Sequence, residues 1–156
     1  MDELYRLIGM VMRNAQAIEK NLSAIIYFDR ILSVFDNGEK VTEDVFFSNH
    51  ENADDLFDWM SDVPMGEIVK LARKTPSLSK KLVADLERVM KYRNYVAHKI
   101  FKGEMFLVGG KITQRDLTSL KNRAINELGF SSKLNNTLLI ISDDLRKEYD
   151  GITECH

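Results

Sequence analysis

The first 35 residues carry the longest regular pattern in this chain of 156 residues. Apolar side chains recur there after four and three positions in alternation, which is the spacing of one face of an α-helix. A helix of about 33 residues would be about 50 Å long, whereas a compact globule of this size is roughly 40 Å across. We therefore expect an elongated bundle, or a first helix that bends or reaches a second subunit. The residues of the pattern are Leu4, Ile8, Val11, Ala15, Ile18, Leu22, Ile25, Leu32 and Phe35.

The C-terminal third carries a second long helical pattern. Its apolar residues keep the three and four spacing from Leu117 to Tyr149. Thr113, with Asp116 three positions later, resembles a capping box and predicts the start of this helix. Gly129 and the serines at 131–132 interrupt its middle, which predicts either a kink or a close contact with another helix.

Shorter elements lie between the two long patterns. The sequence predicts a loop or short helical turn over 37–51, then helices over about 52–61, 65–74 and 77–102. The pieces on either side of Gly109-Gly110 allow a small hairpin at 105–113. The fold class that follows is all-α: an elongated bundle of about five helices, two of them long, in a single domain covering residues 1–156.

The helix predicted over 77–102 brings Arg, Asn and His together within six residues. Because each residue turns an α-helix by about 100°, Asn94 and His98 share one face, whereas Arg93 lies about 140° from His98. Arg93 falls within the apolar stripe of its helix, where an unpartnered cation would be very costly. We therefore expect Arg93 to face a polar groove, a carboxylate or an anionic ligand. His98 borders a basic face and is placed to meet a phosphate. The residues of this basic face are Lys80, Arg88, Lys91, Lys99 and Lys102.

Arg93-Asn94-x-x-x-His98, near the end of a long helix, resembles the Arg-x4-6-His motif of the HEPN superfamily. The resemblance implies an all-α domain that acts as a metal-independent ribonuclease, in a toxin or in phage defence. It also implies a homodimer whose two motif helices build one composite site, in which Arg93 and His98 act at the scissile phosphate and Asn94 orients them. Members paired with a nucleotidyltransferase antitoxin often carry Tyr two residues after the His. This chain has Ile100 there, which puts regulation by nucleotidylation of that residue in doubt.

Cleavage of RNA without a metal needs a base for the 2′-OH proton, an acid for the leaving 5′-oxygen and a cation for the phosphorane charge. Imidazole can fill either proton role near neutral pH, and a guanidinium supplies forked donors to phosphate oxygens. One chain offers one His98, so a separate acid and base require two chains related by a two-fold axis. Together with the resemblance, this chemistry predicts an endoribonuclease that attacks single-stranded or loop RNA, needs no cofactor or metal and leaves a 2′,3′-cyclic phosphate. The residues expected to bind the RNA are Lys80, Arg88, Lys91, Lys99 and Lys102.

The net charge of −2 conceals a division of charge along the chain. Residues 36–67 contain ten acids and a single Lys, whereas residues 70–102 contain ten bases, two acids and the motif. Asp54, Asp58 and Asp62 recur every four residues and form an acidic ridge. This ridge is either a solvated helix face or a docking surface for a basic partner such as an antitoxin.

Two other functions fit the same residues. The chain could be a non-catalytic HEPN-like module that binds a nucleotide, RNA or a protein partner, or a regulatory subunit that works through the acidic ridge. The binding module would use the same Arg and Lys groups. A structural interpretation of the motif also remains open, in which Arg93 is an ion-pair partner and His98 an ordinary surface histidine. A single Cys155, with no secretory signal and no long apolar run, predicts a reducing cytoplasmic location and no membrane association.

Overall fold

The computed structural model describes residues 1–36, 40–101 and 113–155, with the backbone alone for 100 and 101. Helices make up most of these residues and no strand occurs among them, which confirms the all-α prediction. The two predicted long helices are present, with 31 and 41 residues, and the second is about 60 Å long. The helices are α1 (Asp2–Leu32), α2 (Glu43–Asp62), α3 (Met65–Ala72), α4 (Lys80–Tyr95), a π-helical segment (Val96–Phe101) and α5 (Gln114–Glu154).

Side-chain caps fix where three of the helices begin. The Thr113 hydroxyl accepts a hydrogen bond from the Asp116 backbone N–H at 3.1 Å, so the predicted start of α5 is confirmed. Ser79 caps α4 by accepting from the backbone N–H of Leu82 at 3.2 Å. Thr42 caps α2 in the same way. Each cap satisfies a backbone donor that has no partner within its own helix.

The prediction of a loop or short turn over 37–51 was wrong from Glu43 onward, because α2 begins there. Contacts with α1 hold these first turns of α2. The Asn49 side chain donates to the last carbonyls of α1 (Arg30 at 3.0 Å and Ile31 at 2.9 Å), and the Phe46 ring lies 6.2 Å from the Phe35 ring. Such contacts leave no periodic trace in the sequence, which explains the error.

The direction of each helix follows from which residues meet. α1 and α5 run parallel, since Glu3 contacts Lys121 near their starts and Phe28 contacts Tyr149 further along. α2 and α4 run antiparallel to α1. The start of α1, the end of α4 with the π segment, and the start of α5 therefore meet at one end of the bundle, which we call the motif end. The chain between 101 and 113, including Lys102 and most of the predicted hairpin, lies outside the described residues.

Two hydrophobic clusters fill the bundle. The large cluster surrounds the middle of α1 and receives side chains from all four other α-helices. The motif-end cluster is smaller and is built by α1, α4, the π segment and α5. The buried members of the motif-end cluster are Leu4, Leu7, Ile8, Val11, Tyr92, Val96, Leu120 and Ala124.

Polar side chains join α1 to α5 between the two clusters. The Asn14 amide donates to the hydroxyls of Ser131 at 3.1 Å and Ser132 at 2.8 Å, and Asn21 donates to Asn135 at 2.8 Å. α5 continues unbroken through this region. Of the two outcomes predicted for 129–132, the structure therefore has the close helix contact.

Candidate functional site

Arg93 lies on the side of α4 that faces α1. Its guanidinium is 4.0 Å from the Glu19 carboxylate, and the two side chains are 30% and 25% exposed. Of the three partners expected from the sequence, the structure supplies a carboxylate. A separation of 4.0 Å is that of an ion pair and is too long for a hydrogen bond, so Glu19 attracts Arg93 without occupying its N–H donors.

Asn94 and His98 are both exposed at the motif end. Among the described residues, neither side chain has a hydrogen-bond or ion-pair partner. The helix predicted over 77–102 does continue through Phe101, but its turns after Tyr95, which include His98, are π-helical where α-helical geometry was expected. A π turn contains one more residue than an α turn, a difference that hydrophobic spacing over a single turn cannot reveal.

Among the described residues, no hydrogen bond or ion pair joins Arg93, Asn94 and His98 to one another. Arg93 is directed toward Glu19 on α1. Tyr95, three residues before His98, lies instead beside α5, where the Arg123 guanidinium covers its ring.

The predicted basic face is exposed where the structure describes it. Lys80, Lys91 and Lys99 are all exposed. Arg88 joins α4 to α5, because it forms an ion pair with Glu127 of α5 at 3.0 Å and lies 3.8 Å above the centre of the Phe130 ring. Arg88 is thus less available to RNA than the sequence predicted.

A cleft of about 440 Å³ separates α4 from α5 beside this basic face. Sequence reasoning missed Arg123, one of the residues that line this cleft, because it lies 25 positions after His98, the last residue of the motif, and belongs to no recognisable pattern. Its guanidinium is 4.2 Å from the centre of the Tyr95 ring and 5.1 Å from that of Tyr92. The available signal was a cation between the apolar residues Leu120 and Ala124 of α5. The cleft is lined by Ala84, Glu87, Arg88, Lys91, Tyr92, Arg123 and Glu127.

The pKa of Tyr92 reflects both the burial of its hydroxyl and the positive charge of the nearby Arg123. Burial raises the pKa of its hydroxyl, and the positive charge of Arg123 opposes part of that rise. The ring itself is buried in the motif-end cluster. Tyr92 therefore supports the wall of the cleft as a neutral aromatic side chain and brings no charge to it.

The acidic ridge lies on α2, away from the motif end. Asp54, Asp58 and Asp62 are all exposed, and Asp54 accepts a hydrogen bond from the Tyr27 hydroxyl at 2.9 Å. Burial, together with this bond, raises the pKa of Tyr27 to about 12. Within the described ranges, no three His, Cys, Asp or Glu side chains are grouped so that they could hold a metal ion.

Comparisons with protein-family models, with curated proteins and with solved structures give no match to this chain. The interpretation of the site therefore depends on its residues and their geometry. In the described part of the chain, no helix has a stretch that is both long and apolar enough to cross a bilayer.

Proposed function

We propose that the protein is a metal-independent endoribonuclease that cleaves RNA through a composite site at a homodimer interface. We further propose that it works in the cytoplasm as a toxin or a phage-defence component. The observation that carries the proposal is the position of His98: it is exposed at the end of a basic helix, five residues after Arg93 and one turn beyond Tyr95. An imidazole so placed is open to an approaching phosphate and can give or take a proton there.

The reaction moves two protons and exchanges one P–O bond for another. A His98 imidazole takes the proton of the ribose 2′-OH while the 2′-oxygen bonds to phosphorus. The bond from phosphorus to the 5′-oxygen then breaks, and a second imidazole gives its proton to that oxygen. The products are a 2′,3′-cyclic phosphate and a free 5′-OH. Arg93 stabilises the charge that gathers on the phosphorane oxygens, and Asn94 holds the phosphate or the imidazole in position.

Two chains are part of this mechanism for two reasons. One chain supplies one motif imidazole, whereas the reaction uses a base and an acid. In addition, Arg93 is directed toward α1, while the exposed His98 follows the part of α4 that borders α5. A two-fold axis near the motif helices would place Arg93 of one protomer opposite His98 of its partner.

Incubation of labelled RNA with the purified protein in EDTA tests this function. The His98→Ala variant should cleave about 10²- to 10⁴-fold more slowly than the wild type, because it lacks the proton-transfer group. Its melting temperature should stay unchanged, since His98 is exposed. His50→Gln is the matched control: His50 bonds Tyr149 at 3.3 Å far from the motif end, and Gln can keep a hydrogen bond there.

Three results would contradict the proposal. They are full cleavage by His98→Ala, loss of wild-type cleavage in EDTA, and a protein that cleaves while it remains monomeric in sedimentation at the assay concentration. Mass spectrometry of the product adds a direct check, because a terminus other than the cyclic phosphate would exclude attack by the 2′-oxygen.

The Arg93–Glu19 pair favours a second candidate, a catalytically silent module that binds RNA, a nucleotide or a protein partner. In that case Arg93 joins α4 to α1 and the exposed lysines supply the binding. This candidate predicts salt-sensitive binding of RNA without strand scission. The same EDTA assay, read for both binding and cleavage, separates it from the nuclease.

A further inference from the structure

The cleft between α4 and α5 faces a different direction from the Arg93–Glu19 pair. Lys91 precedes Arg93 by two positions, and two residues on an α-helix turn by about 200°. Lys91 lines the cleft, whereas Arg93 contacts α1. Tyr95, four residues after Lys91, lies on the same side of α4, and His98 follows it by three positions in the π segment.

Of the five charged side chains that line the cleft, Lys91 and Arg123 are the two that form no ion pair with another described residue. The two carboxylates that line the cleft are each engaged by another arginine. Their negative charge is thus largely balanced, and the unbalanced charge of the cleft is positive. The balanced pairs are Arg73–Glu87 at 2.5 Å and Arg88–Glu127 at 3.0 Å.

Aromatic rings and a guanidinium are layered beside these charges. The rings of Tyr92 and Tyr95 stack with centres 6.0 Å apart and planes at 27°. Arg123 covers the Tyr95 ring at 4.2 Å, so its guanidinium is held over an aromatic face. Aromatic rings and guanidinium planes are the surfaces on which proteins stack unpaired RNA bases.

We infer that this cleft binds one nucleotide of a single-stranded RNA beside the motif, with Lys91 at a phosphate and the base on the Arg123–Tyr95 stack. A volume of about 440 Å³ lies within the roughly 300–1,000 Å³ typical of small-ligand sites. A base inside a duplex cannot stack on a side chain, so the cleft selects unpaired RNA. The inference rests on the proposed function and adds to it the substrate class and a binding residue on α5.

Fluorescence anisotropy with a short unstructured RNA labelled at its 5′ end, in EDTA and over a range of salt concentrations, tests this cleft. Arg123→Gln should weaken binding by about 5- to 50-fold, because the stacking surface is lost together with a charge. Lys91→Gln should weaken binding less and lower the salt slope by about 0.7, the contribution of one phosphate contact on a single strand. Lys133→Gln, an exposed charge removed elsewhere on α5, is the matched control and should bind as the wild type does.

Arg123→Lys separates stacking from charge. Lysine keeps the positive charge but not the planar group, so this variant should restore the wild-type salt slope while its affinity remains low. Melting curves of all four variants should overlay that of the wild type, since the three side chains replaced are exposed. A duplex of the same sequence should bind more weakly than the single strand.

Wild-type affinity in Arg123→Gln, equal binding of duplex and single strand, or no binding of the single strand at low salt would overturn the inference. Cleavage measured on the same samples keeps the two proposals distinguishable. RNA that binds the cleft but is never cut would remove the nuclease and leave the cleft in place. If substitution of Arg123 and of Lys91 leaves the cleavage rate unchanged, the nuclease proposal stands and the cleft proposal fails.

Discussion

The two hydrophobic clusters along α1 differ in what surrounds them. The large cluster is enclosed by α2, α3, α4 and the second half of α5, which pack against the apolar face of α1. The motif-end cluster has no contribution from α2 or α3. The side chains at its border are polar and partly open to solvent, among them Arg93, His98 and Arg123. The candidate site thus lies at one end of the bundle, separate from the larger part of the hydrophobic core.

The most severe test of this separation is a truncation in the large cluster. Leu86 is fully buried there, so Leu86→Ala should lower the free energy of unfolding by about 2–5 kcal/mol through lost burial and a residual cavity. Urea unfolding measures the loss. Because Leu86 does not belong to the motif-end cluster, RNA cleavage per folded molecule should be unchanged at temperatures where the variant remains folded.

Leu139→Ala is the control for that truncation, since Leu139 is 45% exposed. Its unfolding free energy should stay within about 0.5 kcal/mol of the wild type. Loss of cleavage in a folded Leu86→Ala protein would show that the two regions are coupled, and the comparison would then fail.

A smaller effect is expected at Tyr27, which bonds Asp54 beside the large cluster. Tyr27→Phe should cost about 0.5–1.5 kcal/mol of unfolding free energy at neutral pH. The pKa of Tyr27 is about 12 in the folded protein and about 10 when unfolded. The stabilisation linked to this raised pKa is therefore fully present below pH 10 and is lost as pH rises toward 12.

Urea midpoints measured from pH 9 to pH 12 check the Tyr27 prediction. The wild type should lose stability more steeply than Tyr27→Phe over this interval. Some decline should persist in the variant, because burial also raises the pKa values of Tyr92 and Tyr149. Parallel curves for the two proteins would contradict the assignment.

The smallest effect is expected at Glu19, and it concerns the motif end. Glu19→Gln should change the unfolding free energy by at most about 1 kcal/mol, because the pair with Arg93 is long and partly exposed. If RNA phosphate and Glu19 compete for Arg93, RNA affinity should rise by up to about fivefold. Glu148→Gln, the loss of an exposed acid elsewhere, is the control for net charge. Reduced cleavage in Glu19→Gln would instead make Glu19 a positioning residue for Arg93.

Hydrophobic spacing predicted the fold class and both long helices, because burial along a whole face repeats in the sequence. The cap at Thr113 was equally readable, since a capping hydroxyl acts on residues three positions away. For Arg93, the cost of an unpartnered cation limited the partner to a few chemical classes, and a carboxylate is the one present. These predictions depended on local or periodic interactions.

The features that were missed depend on contacts between distant parts of the chain. The first turns of α2 are held by Asn49 and Phe46 against α1, and the position of Arg123 matters because α5 lies beside Tyr95. Arg88 likewise found its partner, Glu127, 39 residues away. No spacing rule within one helix contains that information, so only the assembled bundle could reveal it.

The π turn that holds His98 has a consequence for how such a site can vary. A π turn contains one more residue than an α turn, so deletion of one residue there would convert it to an α turn while α4 before it stays in position. The number of residues between the Arg93 guanidinium and the His98 imidazole can therefore change by one without rebuilding the bundle.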